Sequence, residues 1–267
     1  MSLSDHQIDR YLRQIILPEI GGRGQEKLLH SRILVVGAGG LGSPAALYLA
    51  AAGVGTLGLI DGDLVDRSNL QRQILHTSSR LGYPKVNSAK AVLSDINPEI
   101  EIKTYPFRLS AANALEIISQ YDLVVDGTDN FPARYLINDA CVLARKPMVH
   151  GSLLRWDGQV SVFWPGQGPC YRCLFPTPPP EGLLPTCQEA GVLGPVAGVI
   201  GSLQALEAIK VILTIGKPLV GRLLLFDGRQ LTWDEVSLQR DPNCAVCGDH
   251  PTLTALREEA TVNCSQV

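Results

Sequence analysis

Six residues, Gly37-Ala38-Gly39-Gly40-Leu41-Gly42, constrain this chain more than any other feature. They follow Arg32-Ile33-Leu34-Val35-Val36, an apolar run that predicts a buried strand. They precede an Ala/Leu-rich stretch that predicts a helix to about Ala52, stopped by Gly53. The spacing is G-x-G-x-x-G, placed where a strand turns into a helix. Glycines let the backbone turn sharply and approach phosphate oxygens, and the helix amino terminus offers free N–H groups and the positive end of its dipole. Asp61 follows Gly42 by 19 positions, at the end of the next apolar run, Thr56 to Ile60. A carboxylate there can accept hydrogen bonds from ribose hydroxyls. The loop binds a nucleotide on this reading, but does not choose one. NAD is a frequent occupant of such loops, so an NAD-dependent oxidoreductase stays open at this point.

The alternation continues. Pro84 opens a helix that ends before Asn97-Pro98. Ile100 to Thr104 and Leu123 to Asp126 predict strands, and Phe131 to Ala144 a helix. Such alternation means right-handed crossovers and a mostly parallel sheet. The expected fold is α/β, Rossmann-like and doubly wound. Gln159 to Phe163 and Leu223 to Phe226 predict strands that continue it into a second half. Pro176-Thr177-Pro178-Pro179-Pro180 reads as a stiff exposed connection. The apolar run Val192 to Ile215 contains Pro195, Glu207 and Lys210, so a buried helix is expected and a membrane span is not. Gly194, Gly198 and Gly201 begin or line that helix and favour close packing, with a docking surface for a partner as the alternative. His76 and His150 read as structural. The expected organisation is one domain over 1–250, with halves of about 1–150 and 151–250, then a loose tail over 251–267.

Composition sets limits. The 267 residues are 45% hydrophobic and 18% charged, which excludes wholesale disorder. A net charge of −3 argues against a broad nucleic-acid face. The first residues carry no basic segment followed by an apolar one, so the cytoplasm is the expected compartment.

Three charged residues favour a triphosphate. Arg72 lies in Asn69-Leu70-Gln71-Arg72-Gln73, just after the second strand; Lys85 starts the next helix; Asp129 follows the strand ending at Asp126. Ligands of open parallel sheets bind at the carboxyl ends of the strands, and all three segments are expected there. Arginine clamps phosphate oxygens with a planar fork, lysine supplies a point charge, and an aspartate holds Mg²⁺. Hydride transfer needs none of them. Each alone is more commonly a surface charge.

The seven cysteines include two C-x-x-C pairs, Cys170/Cys173 and Cys244/Cys247. Four thiolates at that spacing fit a structural tetrahedral Zn²⁺. A redox-active pair is the alternative, but neither pair is expected to open a helix after a strand. Cys141 reads as a core residue, and Cys264 suggests no chemistry.

Taken together, Arg10-Tyr11-Leu12-Arg13-Gln14-Ile15-Ile16-Leu17, Gly37 to Gly42, Asn69 to Gln73, Cys170-Tyr171-Arg172-Cys173, Gly198 to Lys210 and Cys244-Ala245-Val246-Cys247-Gly248 resemble the MoeB/ThiF/HesA family. These are bacterial relatives of the ubiquitin-activating enzymes, and the resemblance spans roughly 5–250. It implies a homodimer that uses ATP and Mg²⁺ to adenylate the C-terminal Gly-Gly carboxylate of a ubiquitin-like sulfur-carrier protein. Gly37, Gly39, Gly40, Gly42, Asp61, Ser68, Asn69, Leu70, Gln71, Arg72, Lys85, Asp129 and Asn130 become the candidate contacts to ATP or its metal. The resemblance implies that Arg13 would reach the triphosphate in the other subunit, whereas the sequence alone favours a surface charge on an N-terminal helix. The residues proposed to act in the reaction are Arg13, Arg72, Lys85, Asp129 and Cys187. In ThiF-like members a cysteine at the place of Cys187 joins the carrier covalently; in MoeB-like members it is not required for adenylation. The resemblance leaves the pathway open among molybdenum-cofactor synthesis, thiamine synthesis and tRNA thiolation, with the first favoured. The length leaves no obvious room for another catalytic domain, so a separate sulfurtransferase is expected. A catalytically silent carrier-holding scaffold is a further alternative, disfavoured by the intact Arg72, Lys85 and Asp129.

Overall fold

A computed structural model describes residues 3–179 and 190–258. Its backbone is one eight-stranded sheet in the order β3-β2-β1-β4-β5-β6-β7-β8. The strands are β1 (Arg32–Val36), β2 (Thr56–Ile60), β3 (Glu101–Tyr105), β4 (Leu123–Asp126), β5 (Met148–Leu154), β6 (Asp157–Phe163), β7 (Arg222–Asp227) and β8 (Thr232–Ser237). Neighbours from β3 through β5 pair in parallel, and those from β5 to β8 pair antiparallel. The second half therefore continues the same sheet, as expected, but as an antiparallel meander.

The parallel strands are apolar on both faces because helices cover both. Alternate residues of β1 serve different cores. Ile33 and Val35 join one cluster with α3 (Gly42–Ala51), α4 (Lys85–Ile96) and the long α8 (Gly194–Leu213). Leu34 and Val36 join another with α5 (Ala114–Ser119) and α6 (Phe131–Ala144). Period-two geometry sends successive side chains to opposite faces. β1 runs out from the chain toward the glycine loop, crosses through α3 to β2, and the return to β4 lands on the other side of β1. That reversal leaves a crevice at the carboxyl ends of β1 and β4.

Helix α8 is long and apolar enough by composition to cross a membrane, yet 61% of that stretch is buried inside the fold. Its charges are internal partners: Glu207 pairs with Lys210 and accepts a hydrogen bond from the Leu219 N–H at 2.7 Å. A Cβ on Gly201 would overlap the Leu41 carbonyl, and one on Gly194 the Gln71 carbonyl. Close packing thus explains those two glycines. It does not explain Gly198, where a Cβ would meet nothing within 4 Å.

The N-terminal helices, α1 (Asp5–Ile15) and α2 (Gly21–His30), sit at the far end of α3 from the glycine loop. Gln14 and Gln25 both donate to the Ala52 carbonyl, at 3.1 and 3.0 Å, and Asn97 donates to the Tyr11 hydroxyl at 2.8 Å.

Two expectations need correction. The start of the tail is not loose. Leu253 packs against the cysteine cluster, Leu256 against the second core, and the Glu258 carboxylate accepts from the Ala111 N–H at 2.6 Å. A sequence of scattered apolar residues finds a ready groove there, which no local pattern announces. The first cysteine pair does open a helix: Cys170 is the N-cap of the one-turn α7 (Tyr171–Leu174). It lies beyond a turn after β6, not directly at the strand end. Cys187, Cys264 and Pro180 lie outside the described residues.

Candidate functional site

The four conspicuous glycines of the loop differ in their surroundings. Gly37 has φ +91°, and a Cβ there would sit 2.7 Å from the Gly127 carbonyl oxygen. A Cβ on Gly42 would overlap the Gly37 carbonyl. These two glycines press the loop onto the turn after β4 and onto the start of α3. Gly39 and Gly40 are open: the nearest atoms to an added Cβ would be Gln73 Nε2 at 3.6 Å and the Ala197 Cβ and Arg72 Cγ at 3.5 Å. Packing does not demand glycine at these two positions. Their bare main chain, at the mouth of a helix, is the natural seat for a phosphate.

The loop is held from behind. Asp61 accepts from the Ala38 N–H and the Asp63 N–H, both at 2.8 Å. The buried His76 bridges the Ala38 carbonyl at 2.9 Å and the Ser88 hydroxyl at 3.0 Å. Burial pushes the His76 pKa down, so the ring is neutral, with Nε2–H donating to the carbonyl. His76 is structural, as expected, but the structure it supports is the phosphate loop.

Lys85 is only 5% exposed, and its Nζ lies 3.0 Å from the Asp63 carboxylate and 4.0 Å from that of Asp61. Arg108 reaches the other oxygen of Asp63 at 3.2 Å. Partial burial alone would raise the Asp63 pKa; Lys85 and then Arg108 outweigh it and hold the carboxyl below its usual range. An open cleft of about 770 Å³ runs beside Lys85, lined by Gly62, Asp63, Val65, Ser68 and Asn69 among others. Ser68 and Asn69 belong to a short 3₁₀ turn capped by Asp66, which accepts from the Ser68 N–H at 2.8 Å. Arg72 follows, half-buried, with its side chain against Gly40 and its guanidinium donating to the Ser68 carbonyl at 3.2 Å. Leu70 is half-buried and Gln71 exposed, the latter with its carbonyl under Gly194.

Asp129 is exposed on the turn after β4. Asn130 caps α6, accepting from the Ala133 N–H at 3.0 Å, so its side-chain oxygen already has a structural duty. Arg13 is exposed on α1, across the length of α3 from the loop.

Sequence reasoning missed Asp63, Arg108 and a buried trio below the turn, Asp126, Arg134 and His150. Asp63 stands two residues beyond Asp61, a D-x-D spacing that was available as a signal. Asp126 and Arg134 meet across one strand-turn-helix connection, but His150 joins them only through the pairing of β4 with β5, which no local pattern announces.

The four cysteines converge. Their sulfurs lie within 4.8 Å of one another, with Cys170–Cys244 at 3.5 Å, Cys173–Cys247 at 3.3 Å and Cys170–Cys173 at 3.9 Å. Thiolates on a tetrahedral zinc at about 2.3 Å stand about 3.8 Å apart, so the donor set fits that ion. The Asp241 N–H donates to Cys173 Sγ at 3.4 Å, and Arg240 clamps the Cys247 carbonyl. Such outer contacts orient metal ligands.

The chain is similar to known proteins. The ThiF family model matches residues 11–246. A sulfur carrier protein adenylyltransferase of Thermus thermophilus is 52% identical over 261 residues, covering 96% of each chain. An adenylyltransferase and sulfurtransferase MOCS3 of Anopheles gambiae is 54% identical over 95% of this chain, which spans 58% of that relative. A crystal structure of E. coli MccB with ATP superimposes with a TM-score of 0.78 at 25% identity, covering 90% of this chain and 73% of that one. The chain belongs to the ThiF family.

Proposed function

We propose that this chain adenylates the C-terminal Gly-Gly carboxylate of a ubiquitin-like sulfur-carrier protein, using ATP and Mg²⁺. The observation that carries the reading is the bare main chain at Gly39 and Gly40, flanked by the Arg72 side chain and near the buried Lys85 ammonium. A polyanion suits two cations at one glycine loop; nicotinamide does not. The relatives' names support the same activity.

A carboxylate is a poor electrophile, and adenylation corrects this. Its oxygen bonds to the α-phosphorus, the bond from that phosphorus to the β-bridging oxygen breaks, and pyrophosphate leaves with the electron pair. Two anions must be held in line while charge grows on the leaving group. The main-chain N–H groups of the loop seat the phosphates. Arg72 and Lys85 neutralise them, and Asp61 is available to the ribose. Asp129 is the free carboxylate for Mg²⁺, which takes one or two carboxylates and completes its shell with phosphates and water. Mg²⁺ supplies charge neutralisation between phosphates when bound. Arg13 acts from a second copy in a homodimer. Cys170, Cys173, Cys244 and Cys247 would hold Zn²⁺ as a structural clamp.

In this reading residues 1–150 bind the nucleotide and 151–250 face the carrier, within one domain. Cys187 is available for a covalent step after adenylation. The sulfur would come from a sulfurtransferase. The compartment is the cytoplasm, where thiol ligands stay reduced.

ATP–pyrophosphate exchange with candidate carriers ending in Gly-Gly tests the proposal. Exchange with the carrier of molybdenum-cofactor synthesis is expected; exchange with a thiamine or tRNA-thiolation carrier would reassign the pathway. Arg72→Ala should lower exchange by roughly 10²-fold or more, and Cys187→Ala should spare it. No exchange with any carrier would reject the mechanism.

A further inference from the structure

Three ionisable side chains beneath the β4 turn have no part in the chemistry above. Asp126, Arg134 and His150 are 0%, 5% and 1% exposed. They come from β4, α6 and β5. Asp126 Oδ2 accepts from Arg134 Nε at 3.3 Å and from His150 Nδ1 at 3.0 Å. Its other oxygen accepts twice from Thr128, from the N–H at 3.0 Å and the hydroxyl at 2.6 Å. Arg134 Nη2 donates to the Thr128 carbonyl at 3.3 Å. Helix α8 adds a fourth element: Gln204 donates to the Asp126 carbonyl at 2.7 Å.

Every bond that leaves this cluster toward the crevice ends on Thr128. Its N–H, hydroxyl and carbonyl are all taken, and two residues later Asn130 is fixed as the α6 cap. Asp129 is the one residue between two fixed points, and it is exposed. Gly127, on the other side, packs on Gly37 of the phosphate loop. A buried ion pair such as Asp126–Arg134, here joined by a neutral imidazole, is expensive to assemble and carries little net stability. Here its hydrogen bonds converge on the backbone of a single turn. Burial pushes the His150 pKa down, which leaves a neutral ring whose Nδ1–H donates to Asp126.

We propose that Arg134 and Thr128 are positioning residues: with Asp126 they lock the 127–130 turn so that the Asp129 carboxylate is pre-aimed at the metal of a bound nucleotide. The proposal rests on the reading of Asp129 as a Mg²⁺ carboxylate. Preorganisation of this kind contributes to binding by removing the ordering penalty at the moment the ligand arrives.

The test needs no turnover. The full-length chain is titrated with a non-hydrolysable ATP analogue, once with Mg²⁺ and once with EDTA, and the ratio of the two affinities is the readout. Wild type should bind more tightly with Mg²⁺, and Asp129→Asn should lose most of that gain. Thr128→Val and Arg134→Lys should each reduce the gain by about tenfold or more, the size expected of one hydrogen bond to a charged group, with the EDTA affinity unchanged. If both keep the full gain while Asp129→Asn has lost it, the positioning role is wrong and the Asp129 reading stands. If wild type shows no gain, or Asp129→Asn keeps it, the Asp129 reading fails and takes the proposal with it. Should Arg134→Lys not fold, Thr128→Val decides alone, because it removes one hydroxyl from a half-buried site and leaves the ion pairs intact.

Discussion

Gly37, Gly40 and Gly42 lie within six residues of one another and are glycine for different reasons. Gly37 needs its positive φ, and Gly42 has no room for a Cβ under the Gly37 carbonyl. Gly40 has ordinary van der Waals space, so packing does not require glycine there, and on the proposed function its bare main chain serves the ligand. The three can be separated by measurement. Gly42→Ala should destabilise the fold by about 2 kcal/mol or more, through backbone overlap. Gly40→Ala should change the melting temperature little and weaken ATP binding by at least about tenfold, since its methyl occupies space a phosphate would take. Equal stability losses in both variants would contradict this division. The motif marked the whole loop in the sequence; which glycine serves packing and which serves the ligand required the carbonyl positions. The same holds for Lys85. Its place at the head of α4 was legible, whereas its burial against Asp63 and Asp61 was not, because those carboxylates arrive from the preceding strand.

At the scale of elements, legibility followed burial. Strands β1, β2 and β4 are apolar on both faces, and their spans match the expected ones residue for residue. β3 is displaced by one position, since Glu101 and Tyr105 blur its ends. β8, Thr232–Ser237, escaped notice because every residue in it is exposed and no face is written in apolar residues. β5 was hidden by His150, Gly151 and Ser152 in its middle, where Gly151 leaves space that the Gln204 side chain fills. The cysteine clamp joins two such weakly marked elements, α7 and the turn at 244–247. Cys170 and Cys244 are 74 residues apart, so the clamp closes a long loop. Closing it with a metal should stabilise the fold by several kcal/mol. Stripping the metal with a strong chelator should therefore lower Tm by roughly 10 °C or more, and should expose the segment around Leu253 to proteolysis. An unchanged Tm after verified metal removal would show that the four thiols do not carry the C-terminal region.

At the scale of the molecule, the position of α1 matters most. Gln14 donates to the Ala52 carbonyl, and Asn97 bridges the Tyr11 hydroxyl and the Ala50 carbonyl, so that helix is tied to the carboxyl end of α3, while the glycine loop is at its amino end. Ten helical residues, about 15 Å, separate the two ends. On the proposed function, Arg13 would serve a triphosphate from another copy of the chain. Exposed apolar residues on the same helix, Ile8 and Leu12, one turn apart, suit burial against such a copy. The arrangement predicts complementation. Arg13→Ala and Arg72→Ala should each abolish exchange alone. Mixed after subunit exchange, they should recover roughly a quarter of wild-type activity, because half the dimers are hybrids and each hybrid keeps one complete site. No recovery in a demonstrably mixed population would place Arg13 outside the active site.

The sequence by itself determined what short spacing can encode. It specified a strand, a glycine turn and a helix, an acid at the end of the next strand, and two cysteine pairs of the right chemistry. These are local because each depends on residues within a few turns of one another, where backbone geometry is nearly independent of the rest of the chain. Only the tertiary structure decided the remainder. It brought the cysteine pairs to one point, set Asp63 on Lys85, seated Leu256 in the second core and assembled Asp126, Arg134 and His150 from three elements under one turn. Except for Asp126 and Arg134, which lie eight residues apart across one turn, those contacts join residues distant in sequence, and their meeting is fixed by strand order and register, which no single segment contains.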